Sequence, residues 1–345
     1  MLLAAYLGLA APAGGPASSG SPDGPVRLTV AASGDLLIHT PIAQRALALG
    51  GGRRYDFAPL FAPVRGPIAG ADLALCHVET PLVPGPVRGY PSFRTPPDLA
   101  RSIRRVGWDA CSTASNHSLD AGQYGVETTL RALRGAGVKA TGTARSARAR
   151  RRTTMLSVKG MRVALLSYTA VSNGQAVPHP WSVNWASPEP ILRDARRARR
   201  RGARIVIVNL HWGSEYVQAV TRDQRTLARR LTRSPAIDAI VGQHAHVVQP
   251  IRRVRGKPVV FGEGNLISNQ TAGCCAAAAQ DGLIALIDFV VRPGGRVRAP
   301  RIRYLPTWVR HPDMTVLRAT PGSASWNRTV SVAGRRPGIA PAVPR

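Results

Sequence analysis

Lysine is nearly missing from this 345-residue sequence and occurs only at positions 139, 159 and 257. The positive charge is therefore carried by arginine: Lys plus Arg number 47 against 18 Asp plus Glu, a formal charge of +29. Such a one-sided balance gives a folded surface a positive field that attracts polyanions, although genomic base composition can produce the same arginine bias. Aromatic residues are also scarce, at 5%, and none falls in the two arginine runs, 145–152 and 193–204. Without aromatics to stack bases, the runs read as a solvated loop and the wet face of a helix, so a nucleic-acid partner is not expected. No Cys-x-x-Cys zinc spacing occurs among Cys76, Cys111, Cys274 and Cys275. The first two lie in apolar runs and read as core residues; for the adjacent second pair a disulfide stays open. A P-loop, a Gly-x-Gly-x-x-Gly turn and a Gly-x-Ser-x-Gly elbow are all missing, which removes the chemistries those motifs support.

Leu2–Leu9, followed by Ala10, Ala11 and Pro12, resembles the apolar part of an export signal, but no basic residue precedes it. It is shorter than the roughly 20 residues that span a bilayer. Residues 1–25 are read as this signal-like segment and a Gly/Ser/Pro-rich linker. An extracytoplasmic protein, secreted or membrane-attached through a truncated signal, is expected.

With 44% hydrophobic residues, the chain has ample material for a core. Short apolar runs at 26–32, 73–78, 108–113, 163–168, 205–210, 237–241, 259–261 and 283–290 predict strands. Helical spacing occupies 97–106, 122–136, 188–201 and 222–232. Such alternation predicts an α/β domain over 26–312 with helices packed on sheets. After Pro312 periodicity fades, and 313–345 is expected to be a basic, flexible tail.

Metal-capable side chains recur where successive predicted strands end, the place at which α/β folds assemble sites. The first strand runs into Ser33-Gly34-Asp35, and the second into His77-Val78-Glu79-Thr80-Pro81. By alternation His77 and Glu79 share a side. Next come Ser115-Asn116-His117-Ser118-Leu119-Asp120, then Asn209-Leu210-His211-Trp212 and Gly242-Gln243-His244-Ala245-His246. Taken singly, Asp35 and Asp120 could be helix caps, Glu79 a wetted strand end and His211 a core residue. Jointly, carboxylate, amide oxygen and imidazole donors suit one or two divalent transition ions, Mn, Fe or Zn, better than Ca or Mg. Two such ions would activate water and clamp a phosphoryl centre. The His244-x-His246 pair is the strongest signal, since an extended chain would project both rings to one side.

Together with Glu215, Tyr216, Gln249, Pro250 and Gly264-Asn265-Leu266, these segments stand in the order found in CapA-like capsule synthesis proteins, which the sequence resembles over about 28–290. That family is similar to calcineurin-like metallophosphoesterases. The resemblance implies a four-layer sandwich, two mixed β-sheets flanked by helices. It also implies a role in making or exporting an anionic capsule polymer such as poly-γ-glutamate. Carried over by position, Asp35, Glu79, Asn116, His211, His244 and His246 match metal ligands. His117 matches a histidine that assists the leaving group, while Asp120, Glu215 and Asn265 match positions that support ligands or face substrate. The phosphoesterase pattern Asp-x-His fails, because position 37 is Leu37. Two functions follow as expectations: a metal-dependent hydrolase or transferase acting on a phosphate ester or the polymer, and a noncatalytic binding or assembly subunit. Membrane-bound capsule synthesis proteins are the expected partners.

Overall fold

The computed structural model describes residues 24–342 except 296. The signal-like residues 1–23 lie outside that range. The strands are β1 (Val26–Leu36), β2 (Leu73–Val78), β3 (Ala110–Ser112), β4 (Lys139–Thr141), β5 (Thr154–Val158), β6 (Met161–Thr169), β7 (Ala203–His211), β8 (Ala239–Gln243), β9 (Ile251–Val254), β10 (Lys257–Val260), β11 (Asn265–Ile267), β12 (Asp281–Val291), β13 (Val297–Arg310), β14 (Thr315–Arg318) and β15 (Ile339–Pro341). The α-helices are α1 (Thr40–Leu49), α2 (Arg65–Ala69), α3 (Asp98–Val106), α4 (Gly122–Gly135), α5 (Ala147–Arg150), α6 (Pro188–Arg200), α7 (Arg222–Arg233) and α8 (Ala324–Ala333).

One sheet runs β14-β13-β12-β1-β2-β3-β4, with β11 beside β1 and β15 beside β13; the other runs β5-β6-β7-β8-β10-β9. Both are mixed. Strands β1 to β4 are parallel to their neighbours, whereas β12 pairs antiparallel with β1; in the second sheet β6, β7, β8 and β10 are parallel while β5 and β9 run antiparallel at the edges. Apolar faces of the two sheets meet through Val30, Leu75, Ile287, Leu165 and Ile207. The outer face of the first sheet is covered by Ile42 and Ala46 of α1 and Leu99 and Ile103 of α3. On the second sheet the cover is Ile191 and Ala195 of α6 with Ala228 and Leu231 of α7. The expected four layers, helices outside two mixed sheets, are thus present.

Local chemistry explains the helices. Pro188 opens α6, where proline costs no hydrogen bond. The residues Ile191, Ala195 and Ala198 recur at helical spacing and are buried, leaving most arginines of the 193–204 run on the other face. That run is not merely wet: Arg197 and Arg150 both pair with buried Asp194, at 3.0 and 2.9 Å. Helix α7 begins with a capping box, Thr221 and Gln224 satisfying each other's backbone amides. Cys76 and Cys111 are buried opposite one another in the β2–β3 register.

The expected tail at 313–345 is corrected over its described part. Residues 315–318 form β14 against β13, α8 follows, and β15 lies parallel to β13. Met314, Val316, Trp326 and Ile339 are buried there. Arg328 forms a two-bond fork with the buried Asp281 carboxylate, at 2.7 and 3.0 Å. These apolar anchors are single residues spaced among Gly, Pro and Arg, too sparse to give a periodic pattern.

Candidate metal centre

Strand β1 delivers Asp35 to the carboxyl edge of the first sheet, beside His77 of β2 in register. The preceding glycine is demanded by space: a Cβ at Gly34 would lie 1.9 Å from the Gly264 carbonyl oxygen. That same oxygen accepts from the Asp35 amide at 3.0 Å, so the close approach is what locks the carboxylate in place. Asp35 caps no helix and is fully buried. Its Oδ2 accepts from the His244 amide at 3.3 Å and lies 3.2 Å from His246 Nδ1.

The other side chains close around it. Glu79 Oε1 lies 3.6 Å from His246 Nε2 and 3.8 Å from His211 Nε2. Asn116 Oδ1 accepts from His211 Nε2 at 2.9 Å, and the His211 and His244 ring centres are 4.7 Å apart. The structure therefore brings Asp35, Glu79, Asn116, His211, His244 and His246 into one cluster from both sheets. One expectation about how they get there is corrected. The chain is not extended at the histidine pair: it leaves β8 at Gln243, and His244 and His246 both have positive φ, 90° and 54°. Left-handed backbone, not strand alternation, aims the two rings, and non-glycine residues in that region carry strain.

His117 stands beside the cluster, its Nδ1 2.8 Å from Asp120 Oδ2. Asp120 is held in turn by the Phe93 amide at 2.7 Å and Gln175 Nε2 at 2.6 Å. It does not cap α4, whose cap position is Ala121 without a side-chain bond. Asn265 Oδ1 lies 3.0 Å from His246 Nδ1, and its amide donates to Gln270 and Ala279. Asn265 thus supports the His246 ring from behind. Glu215 is exposed, yet its carboxylate comes within 4.8 Å of ligand atoms of His244 and His246.

Electrostatics favour a cation here. Burial pushes the Glu79 carboxyl well above its ordinary range, against the pull of His246 and with help from Asp35. Burial presses the His77 and His244 imidazoles down to about 4 and about 3, and drives His211 well down. These rings are neutral at pH 7, the form that ligates metal. Burial also works against a charge on His246, but Glu79 and Asp35 outweigh it and raise the ring to about 10. Among the described residues, Asp35 Oδ1, both Glu79 oxygens, His77 Nε2, His211 Nδ1 and His244 Nδ1 are buried without a hydrogen-bond partner. Unpaired buried carboxylate and imidazole atoms are costly, and a divalent ion satisfies several of them together. The donor set fits Mn, Fe or Zn.

Residues 29–270 match the family described as "Bacterial capsule synthesis protein PGA_cap". The chain belongs to this family. A probable polyglutamine synthesis accessory protein of Mycobacterium tuberculosis is 31% identical over 191 residues, covering 51% of this chain and 50% of that protein. The capsule biosynthesis protein CapA of Bacillus anthracis is 27% identical over 179 residues, 50% of this chain and 43% of the relative. The chain therefore spans about half the length of these relatives. In fold it is similar to a candidate 5'-nucleotidase of Staphylococcus aureus, with a TM-score of 0.51 and 13% identity over 81% of this chain and 54% of that one.

Leu37 is buried and bonded through its amide to the Ile267 carbonyl. It offers no ligand. His39, two residues on, is occupied elsewhere: its Nδ1 lies 3.3 Å from the Asn269 amide and its ring packs edge-on against Phe93. Sequence reasoning placed His77 on the side of Glu79 but gave it no role, and it proves to be inside the cluster. It also missed Asn173, which accepts from Asn116 Nδ2 at 3.1 Å, and Gln175. Both lie in the long segment after β6, which has neither strand nor helix periodicity to anchor a reading.

Proposed function

We propose that this chain is a metal-dependent hydrolase or transferase of capsule synthesis, acting on a phosphate ester or on an anionic polymer such as poly-γ-glutamate. The observation that carries the reading is the His117–Asp120 pair at the rim of the buried carboxylate–imidazole cluster. Asp35, Glu79, Asn116, His211, His244 and His246 would hold one or two divalent ions. Bound metal would supply Lewis acidity and a water activated near neutral pH. The protein's own share is positional. Asp120 accepts the Nδ1 proton of His117, fixing the tautomer whose Nε2 can exchange a proton with a departing oxygen. Phe93 presses edge-on against the same ring, centre to centre 4.7 Å, and holds its plane. An excess of arginine suits a polymer of carboxylates.

Leu37, which withholds a ligand, favours the second reading, a noncatalytic binding or assembly subunit for an anionic cell-surface polymer. The two separate on metal content and turnover. Protein stripped with chelator and reloaded with Mn, Fe or Zn should retain at least one ion per chain and cleave a generic phosphodiester; metal retention without turnover on esters or polymer supports the binding subunit. We further propose an extracytoplasmic location beside membrane-bound capsule synthesis proteins. Among the described residues no helix is long and apolar enough to cross a membrane.

A further inference from the structure

We propose that His77 is a metal ligand, donated from the strand next to Asp35 and forming with Asp35 and His211 a cation position separate from the one near His246. This rests on the reading that the cluster holds metal.

Three observations carry it. First, ligand atoms of Asp35, His77 and His211, all buried, lie within 4.8 Å of one another. Second, Asp35 is divided between two sides: Oδ2 is engaged by the His244 amide and His246, whereas Oδ1 faces His77 Nε2 at 4.0 Å. That gap is too long for a hydrogen bond. Yet two donors that each bind one ion at about 2.0 to 2.2 Å stand roughly 3 to 4 Å apart. Neither atom has a hydrogen-bond partner among the described residues. Third, the far side of the ring is tethered. His77 Nδ1 lies 2.7 Å from Ser112 Oγ, and that hydroxyl donates to the Cys76 carbonyl at 3.3 Å. With its one proton committed there, Ser112 accepts from Nδ1–H, and the tautomer with a bare Nε2 is selected. Metal-binding imidazoles are usually oriented in this way through their second nitrogen.

The position also answers the missing imidazole at Leu37. In the β1–β2 register Asp35 stands opposite His77. A ring on the adjacent strand therefore reaches the carboxylate without requiring the chain beyond Asp35 to turn a side chain back.

The test uses the full chain, stripped and reloaded with Zn or Co, with His77→Leu and Ser112→Ala. His77→Leu should lose one ion per chain, or weaken one binding step by 100-fold or more, and should change the visible absorption of the Co-loaded protein. Ser112→Ala should weaken the same step by about 10-fold, as loss of a tether on a ligand does. Unchanged ion count, affinity and cobalt spectrum in folded His77→Leu overturns the proposal; if that variant does not fold, unchanged affinity and spectrum in Ser112→Ala overturns it. A wild type that binds no metal under any loading would remove the metal reading altogether, a different result from metal binding that ignores His77.

Discussion

His117 and Asp120 form a buried pair three residues apart, with 2.8 Å between Nδ1 and Oδ2, at the point where the chain turns from β3 into α4. The carboxylate makes no helix cap; it takes donors from Phe93, Gln175 and His117 alone among the described residues. If the protein is a hydrolase, His117→Ala should lower turnover by roughly 10²- to 10⁴-fold, the usual worth of a positioned acid or base. Metal content should stay nearly intact. Asp120→Ala should lower turnover less and leave metal in place. Single-turnover rates beside elemental analysis check this, and wild-type turnover in His117→Ala would remove the ring from the mechanism.

His244→Ala combined with His246→Ala should remove most of the metal that survives purification without chelator. These rings meet both carboxylates and His211. Asn116→Ala should weaken binding more mildly, since its Oδ1 shares His211 with Glu79. Metal retention equal to wild type in the double variant, measured by mass spectrometry of the elements, would contradict the assigned ligands.

The pH dependence has a definite sign. His246 is raised to about 10 by Glu79 and Asp35, which overcome the burial that opposes its charge. Its unfolded value is about 6.5. Stability from this group is complete below about pH 6.5 and is lost as pH rises through about 10. Metal-free protein should therefore lose thermal stability across that window, and His246→Gln should flatten that part of the curve. A metal ion must displace the same proton, so affinity should climb by up to about tenfold per pH unit over the window. Titrations at pH 6.5 and 8.5 giving equal affinity would dismiss this competition.

Arg328→Ala should destabilise the fold by about 1 to 3 kcal/mol, because it leaves the buried Asp281 carboxylate without its charged partner. The partial exposure of Arg328 keeps the figure at the low end. Deleting 313–345 should cost far more, uncovering Met314, Val316 and Trp326 and stripping β13 of two neighbours. Urea titration ranks the two variants; a truncated chain as stable as the full one would mean that α8 and β14 contribute little.

Elements buried on both sides were legible in the sequence because their apolar runs are continuous. Leu73–Val78 and the 205–208 stretch of β7 are of this kind; β1 showed through the alternation of Val26, Leu28 and Val30 with Arg27 and Thr29, and the amphipathic α3, α4, α6 and α7 were legible through their spacing. Strand β13 was not, since its exposed positions carry arginine and break the run; nor were the three-residue strands β4, β11 and β15, too short for any period. For the site, the ends of the apolar runs pointed to all six clustered side chains, because metal-capable residues follow those runs directly, although β1 continues through Gly34 to Leu36 and β8 through Gly242 to Gln243. The role of His77 was not visible. Its significance depends on the pairing of β1 with β2, and a single sequence does not specify register between strands so far from a shared turn.

The left-handed turn at His244 and His246 sets folding against function. Glycine tolerates a φ of 90° without the penalty that a Cβ incurs. His244→Gly should therefore leave the turn more relaxed while deleting a donor, and a library screened for heat resistance alone would drift toward such replacements. Survivors would be sturdier and would no longer bind the ion. Enrichment of histidine at these two positions would thus mark selection for ligation, to be read by deep mutational scanning with a metal-dependent readout run beside one that scores abundance.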